Sequence, residues 1–274
     1  MSGHMLIFGM GYTASRLAAS LLADGWQVTG IRRSGGKGIL AFDDTAAVLA
    51  SVANATHILS SIPPTPENGD SALVSYGDAL AVAPAQWFGY LSSTGVYGDA
   101  KGAWVDEGTP IGTGRRSDRS EADLAWQKLR GDVRVFRLPG IYGPGRSTLD
   151  RVREGKAHRI DIPSQVFSRI HVDDIVSAIR ASFAGPAGVF NIADDMPCSQ
   201  NAVVEHTCML LGSKLPPLQS IEDAGLSPMA LGFYAENRRI SNRKARRVLG
   251  WTPHYYDYKQ GLAAIFVAET EKRD

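Results

Sequence analysis

Cysteine is nearly absent: two in 274 residues, Cys198 and Cys208. Neither sits in a CxxC pair or beside a histidine cluster, so both read as reduced thiols and no disulfide framework or cysteine-based metal site is expected. Long apolar runs are also missing. The N-terminal stretch Met5–Phe8 is far too short for a signal peptide or a membrane span, and no later segment reaches that length without charges. One-sided charge is lacking too, with 29 basic against 28 acidic residues and a net charge of +1, which argues against a dedicated nucleic-acid or membrane-surface binder. Aromatic residues interleave too little with basic ones to suggest base stacking. The sequence reads as a soluble cytoplasmic protein with a small-molecule ligand.

What is present is a large apolar fraction, 44%, enough for a sizeable core. The first half alternates short apolar runs with amphipathic stretches. Met5–Phe8, Trp26–Ile31, His57–Ile62, Gln86–Ser92 and Val133–Leu138 read as strands. Between them lie helical patterns: Tyr12–Asp24 with Leu17, Leu21 and Leu22, then Thr45–Ala53, Ser71–Ala83 and Ser117–Arg130, the last with Leu124 and Leu129 facing inward. Strands alternating with helices predict a parallel sheet covered on both faces, with ligands bound at the strands' carboxyl ends. After residue 140 Pro and Gly become frequent, although Val172–Ala184 still reads as a helix and Gly188–Ala193 as a strand. The expected fold is α/β: a Rossmann-type doubly wound parallel sheet with a smaller C-terminal substrate lobe. Residues 1–140, joined by 165–193, would form the dinucleotide domain; 141–164 and 194–274 would form the lobe.

The run after the first strand is Gly9-Met10-Gly11-Tyr12-Thr13-Ala14, a GxGxxA fingerprint in its strand–turn–helix setting. Gly9 allows the tight turn, Gly11 lets the backbone approach a pyrophosphate, and Ala14 lets the helix pack on the strand. The helix start, at Tyr12 and Thr13, offers N–H groups and a positive dipole end to phosphates. An NAD-binding chain usually carries an acid at the tip of the second strand. Here the tip reads Arg32-Arg33-Ser34, whose guanidinium and hydroxyl groups suit a 2′-phosphate. NADP(H) is therefore expected, with NAD(H) less favoured. Asp43 is a candidate for the adenine amino group, and Ser60 and Ser61 for the cofactor's ribose or pyrophosphate.

Three further segments carry a family likeness: Tyr90–Gly98 with its Ser92-Ser93-Thr94-Gly95, Arg137–Gly145 with Pro139 and Tyr142, and Ser168–Ile175. With Leu249-Gly250-Trp251 near the end, their order resembles the extended short-chain dehydrogenase/reductase family of epimerases and dehydratases. The resemblance implies that Ser93 bonds the substrate oxygen, and that a Tyr-xxx-Lys pair follows some twenty to thirty residues later to move the proton. That pair is missing, because no tyrosine lies between Tyr97 and Tyr142. Arg115 falls near the tyrosine place and Arg119 near the lysine place. Arginine stays protonated, so it binds anions and shuttles no proton; Arg119 is a candidate for the ribose or a phosphate. Tyr97 and Tyr142 are the candidate replacement acid/base groups. The resemblance also implies that Asp173 or Asp174 caps the helix after His171, and it leaves open a homodimer through the Ser71–Ala83 and Ser117–Arg130 helices.

Arg238, Arg239, Arg243, Lys244, Arg246 and Arg247 form a basic cluster, read either as a solvated helix face or as part of an anion site. Arg115, Arg146 and Arg239 are the candidate substrate-binding residues. Two functional readings stay open here. One is an NADP(H)-dependent oxidoreductase, epimerase or dehydratase acting on an anionic or sugar-nucleotide-like substrate. The other is a non-catalytic NADP(H)-binding sensor or scaffold.

Overall fold

The computed structural model describes residues 3–115 and 117–271. The chain starts with β1 (His4–Phe8), α1 (Tyr12–Ala23), β2 (Gln27–Arg32) and β3 (Ile39–Ala41). Next come α2 (Thr45–Asn54), β4 (His57–Ser60), α3 (Ser71–Val82) and β5 (Trp87–Ser93). A single 3₁₀ turn (Thr94–Tyr97) leads to β6 (Trp104–Val105), α4 (Ser117–Leu129), β7 (Val133–Leu138) and β8 (Gly140–Tyr142). They are followed by α5 (Thr148–Arg153), β9 (Arg159–Ile160), β10 (Arg169–His171), α6 (Val172–Ala181) and β11 (Gly188–Asn191). The last part holds α7 (Gln200–Leu211), β12 (Leu218–Gln219), α8 (Pro228–Tyr234), β13 (Arg239–Ile240), α9 (Arg243–Leu249) and α10 (Tyr258–Thr270).

Seven strands form one sheet in the order β11-β7-β5-β4-β1-β2-β3, every neighbouring pair parallel. The chain runs outward from β1 to β3 and then returns to place β4 on the other side of β1. The crevice at that reversal, outside the carboxyl ends of β1 and β4, is where such sheets bind ligands. Their strands bury both faces, which explains their continuous apolar runs: Met5, Leu6, Ile7 and Phe8 are all fully buried.

One face packs α1 and α6 through Leu17, Leu21, Ile175 and Ile179; the other packs α2, α3 and α4 through Val48, Val52, Leu80 and Trp126. Each such side chain contributes about 1.5–3 kcal/mol by leaving water. One inward assignment is corrected. Leu124 is 42% exposed, and α4 instead turns Ala122, Asp123 and Trp126 inward because Asp123 pairs with a buried arginine of β7. The cap of α6 is also corrected: His171 Nδ1 accepts from the Asp173 N–H, while Asp173 binds Arg16 and Asp174 takes the N–H groups of His254 and Tyr255.

Most remaining elements gather beyond the sheet's carboxyl edge, whereas α9 packs on the α6 side of the sheet through Ala245, Val248 and Leu249. β8 pairs with β10, β9 with β12 and β6 with β13. α5, α7 and α10 bury Leu149, Val203, Leu262 and Ile265 against one another. Among the described residues, no helix is long and apolar enough to cross a membrane.

Candidate functional site

Gly9 ends β1 with φ +88°, and a Cβ there would lie 2.9 Å from Ile62 Cγ1 and 3.1 Å from its backbone nitrogen. Only glycine makes that turn without strain. Gly11 differs: its φ of −86° suits any residue, and a Cβ would meet nothing within 4 Å. The space before Gly11 is therefore kept open by the missing side chain itself. α1 begins directly after it, with its first N–H groups lacking carbonyls one turn back. Ala14, 1% exposed, seats the helix on the core. An open backbone surface beside a helix N-terminus fits a diphosphate.

This turn opens onto a cleft of about 1050 Å³ between the sheet's carboxyl edge and the later elements. Gly11, Tyr12, Thr13, Ser61, Ser93, Arg115, Arg119, Pro139, Tyr142 and Arg146 all line it. Ser61 donates to the Gly9 carbonyl and so ties β4 to the glycine turn. Tyr12 donates to the Pro144 carbonyl at 3.0 Å, and the Arg146 guanidinium lies 5.6 Å from the centre of its ring. Ser93 Oγ accepts from the Gly95 N–H at 3.1 Å, which frees its hydroxyl hydrogen for a donor bond into the cleft. The charge of Arg119 is felt by Asp70 and Tyr90. Arg115 is brought beside the Ser93 turn by a close backbone approach: a Cβ on Gly114 would be 2.2 Å from the Gly95 carbonyl oxygen.

Several sequence candidates lie elsewhere. Arg239 faces away, donating to the Gly102 carbonyl, because its short strand pairs with β6; its neighbour Arg238 lines the cleft instead. Tyr97 is 3% exposed and its phenol is committed, donating to Asn191 Oδ1 at 2.7 Å and accepting from Arg137 Nη1 at 3.0 Å. Burial raises its proton affinity, with Arg137 opposing. Tyr142 reaches the cleft but is 8% exposed, with a phenol 3.5 Å from the Asp257 carbonyl. Burial and then the Asp194, Asp174 and Asp257 carboxylates push its pKa far up. Neither phenol is set up to exchange a proton near neutral pH. Ser60 is fully buried, its Oγ without a partner among the described residues. Asp43 is exposed, and it is Asp44 that caps α2. Arg32, Arg33 and Ser34 stay at the β2 tip, exposed; Arg32 Nε donates to the Met10 carbonyl at 3.0 Å, which draws it toward the glycine turn.

The sequence did not point to Phe167, Phe233, Tyr234 or Glu236, which also line the cleft. Glu236 accepts from the Arg115 backbone N–H at 3.0 Å and from Arg238 at 2.8 Å. Burial works against its charge, but these donors outweigh burial and hold its carboxyl below the usual range. No local pattern announces such contacts, since Arg115 and Glu236 are 121 residues apart.

The sheet order, the glycine turn and the cleft give the chain the Rossmann-like fold of NAD-dependent epimerases and dehydratases, here without a Tyr-xxx-Lys pair. The chain belongs to one family with a conserved protein of unknown function from Silicibacter pomeroyi DSS, 38% identical, with a TM-score of 0.85 over 98% of this chain and 99% of that one. The human epimerase family protein SDR39U1, solved with NADPH, shares the fold at 19% identity and a TM-score of 0.77, over 96% of this chain and 99% of that one. Among curated proteins, a 3-diazoavenalumate denitrifying reductase from a Streptomyces species is 32% identical over 140 residues, 47% of this chain and 45% of that protein. Protein YeeZ of Escherichia coli K12 is 29% identical over 92% of this chain and 96% of its own length. No protein-family model matches the chain.

Proposed function

We propose that the protein is an NADP(H)-dependent oxidoreductase acting on an anionic small molecule without a tyrosine proton shuttle. The observation that carries this reading is the open Gly11 turn facing a cleft that Ser93, Arg115 and Arg119 all line. Residues 1–140 with 165–193 would hold the dinucleotide, and 141–164 with 194–274 the substrate. Gly11 and the start of α1 receive the diphosphate, and Arg32, Arg33 and Ser34 the 2′-phosphate. Arg119 holds the nicotinamide-side ribose or a phosphate. Bound there, the dinucleotide supplies or takes up a hydride at its nicotinamide ring.

Ser93 donates a hydrogen bond to the substrate oxygen, and the proton that a carbonyl oxygen gains along with the hydride would come from solvent water reaching the cleft. Arg115 stabilises negative charge on the substrate and, being always protonated, moves no proton. The name of the Streptomyces relative, a reductase, supports reductive chemistry. The test is to mix the protein and NADPH with matched anionic and neutral carbonyl compounds and follow the loss of dihydronicotinamide absorbance. Turnover confined to anionic compounds and lost in Ser93→Ala supports the reading; turnover indifferent to Arg115→Ala and Ser93→Ala contradicts it.

A further inference from the structure

The wall of the cleft formed by α8 is largely apolar. α8 presents Ala230, Phe233 and Tyr234 to the cleft, and Phe167 meets Tyr234 edge-on at 5.4 Å between ring centres. Phe233 is 58% exposed although it lines a concave site. An aromatic ring left in water inside a cleft marks a ligand contact rather than a packing one.

Arg115 reaches this wall. Its guanidinium lies 5.8 Å from the centre of the Phe233 ring, and its side chain is 39% exposed. Gly232 leaves room for this placement: a Cβ there would stand 1.8 Å from Arg115 Nη1, and the guanidinium would have to move. Glu236 lies 3.4 Å from Arg115 Nε but is shared with Arg238, so two guanidinium groups face one carboxylate. The Gly95–Gly114 approach brings the backbone before Arg115 to the turn that follows Ser93.

From this arrangement we infer that the substrate is a compact aromatic carboxylate, its ring stacked on Phe233 and its acid group on Arg115. The inference rests on the cofactor reading above and extends it. A cation and an aromatic face within 6 Å of each other, both lining the cleft that Ser93 also lines, suit a small molecule whose ring and charge are close together. A neutral sugar ring at the same place would leave Arg115 only the carboxylate it shares with Arg238 and set hydroxyl groups against Phe233.

Calorimetry tests this on the full chain saturated with NADP⁺, with 4-hydroxycinnamate, cyclohexanecarboxylate and UDP-glucose as probes. The aromatic acid should bind at least about tenfold more tightly than either other probe. Gly232→Ala, which the helical backbone accepts, and Phe233→Ala should each weaken it by about tenfold or more, while Phe233→Tyr retains it. NADP⁺ affinity, titrated separately, should stay within about twofold in all three variants. Equal or tighter binding of UDP-glucose, or indifference to both variants, overturns the inference while leaving the cofactor reading standing. Failure of NADP⁺ itself to bind overturns both.

Discussion

Asp123 and Arg137 join α4 to β7 as a two-pronged ion pair, with contacts of 2.8 and 3.0 Å and neither side chain more than 3% exposed. Ser92 Oγ and Gln127 Nε2 satisfy the same carboxylate, and Arg137 Nη1 donates onward to the Tyr97 phenol. The pair therefore fixes the ends of β5 and β7 under Ser93. Removing one partner leaves a buried charge alone, so Asp123→Ala should cost about 3–5 kcal/mol in urea unfolding. The double variant Asp123→Leu with Arg137→Met should lose less than the single one. Equal or greater loss would show that the pair contributes more than relief of an uncompensated charge.

Cofactor choice is testable at the β2 tip. Arg32 hangs over the glycine turn through its bond to the Met10 carbonyl, where the proposed function puts a 2′-phosphate. Arg32→Glu should weaken NADPH binding by on the order of a hundredfold, from the loss of charge-assisted hydrogen bonds and a new repulsion. NADH binding should be unchanged or stronger. Parallel fluorescence titrations check this, and equal losses for both dinucleotides would remove the 2′-phosphate assignment.

Stability should carry the mark of Asp194. Its carboxyl is 2% exposed, with Oδ2 unpartnered, and burial pushes its pKa up to about 8 despite the Met196 N–H and Arg169. The folded form keeps its proton up to about pH 8, whereas the unfolded chain loses it near pH 4. Unfolding thus releases a proton inside that window, and stability falls as pH rises through it. Asp194→Asn should raise the thermal midpoint by an amount that grows from about pH 4 to about pH 8 and then levels off. A gain independent of pH would place the effect outside the titration.

The dinucleotide turn was readable because its chemistry is local. Gly9, Gly11 and Ala14 do their work within six residues, and the strand runs are apolar because both faces are covered. What escaped the sequence depends on distant partners. Leu124 looked inward by periodicity, but the inner face of α4 is chosen by Asp123, which an apolar pattern does not count. Arg238 and Arg239 are indistinguishable by type; the pairing of β13 with β6 decides which one meets the cleft. Phe233 and Glu236 became site residues only when α8 and the segment after it came to lie against Arg115.

The most direct measurement of the account is NADPH calorimetry on wild type and Gly11→Val, alongside their unfolding curves. The added side chain meets no protein atom at its Cβ and needs no unusual φ, so stability should change by no more than about 1 kcal/mol, the scale of a helix N-cap exchange. The wild type should give saturable heat and the variant none. No heat from the wild type, or undiminished binding by a folded Gly11→Val, would contradict the account.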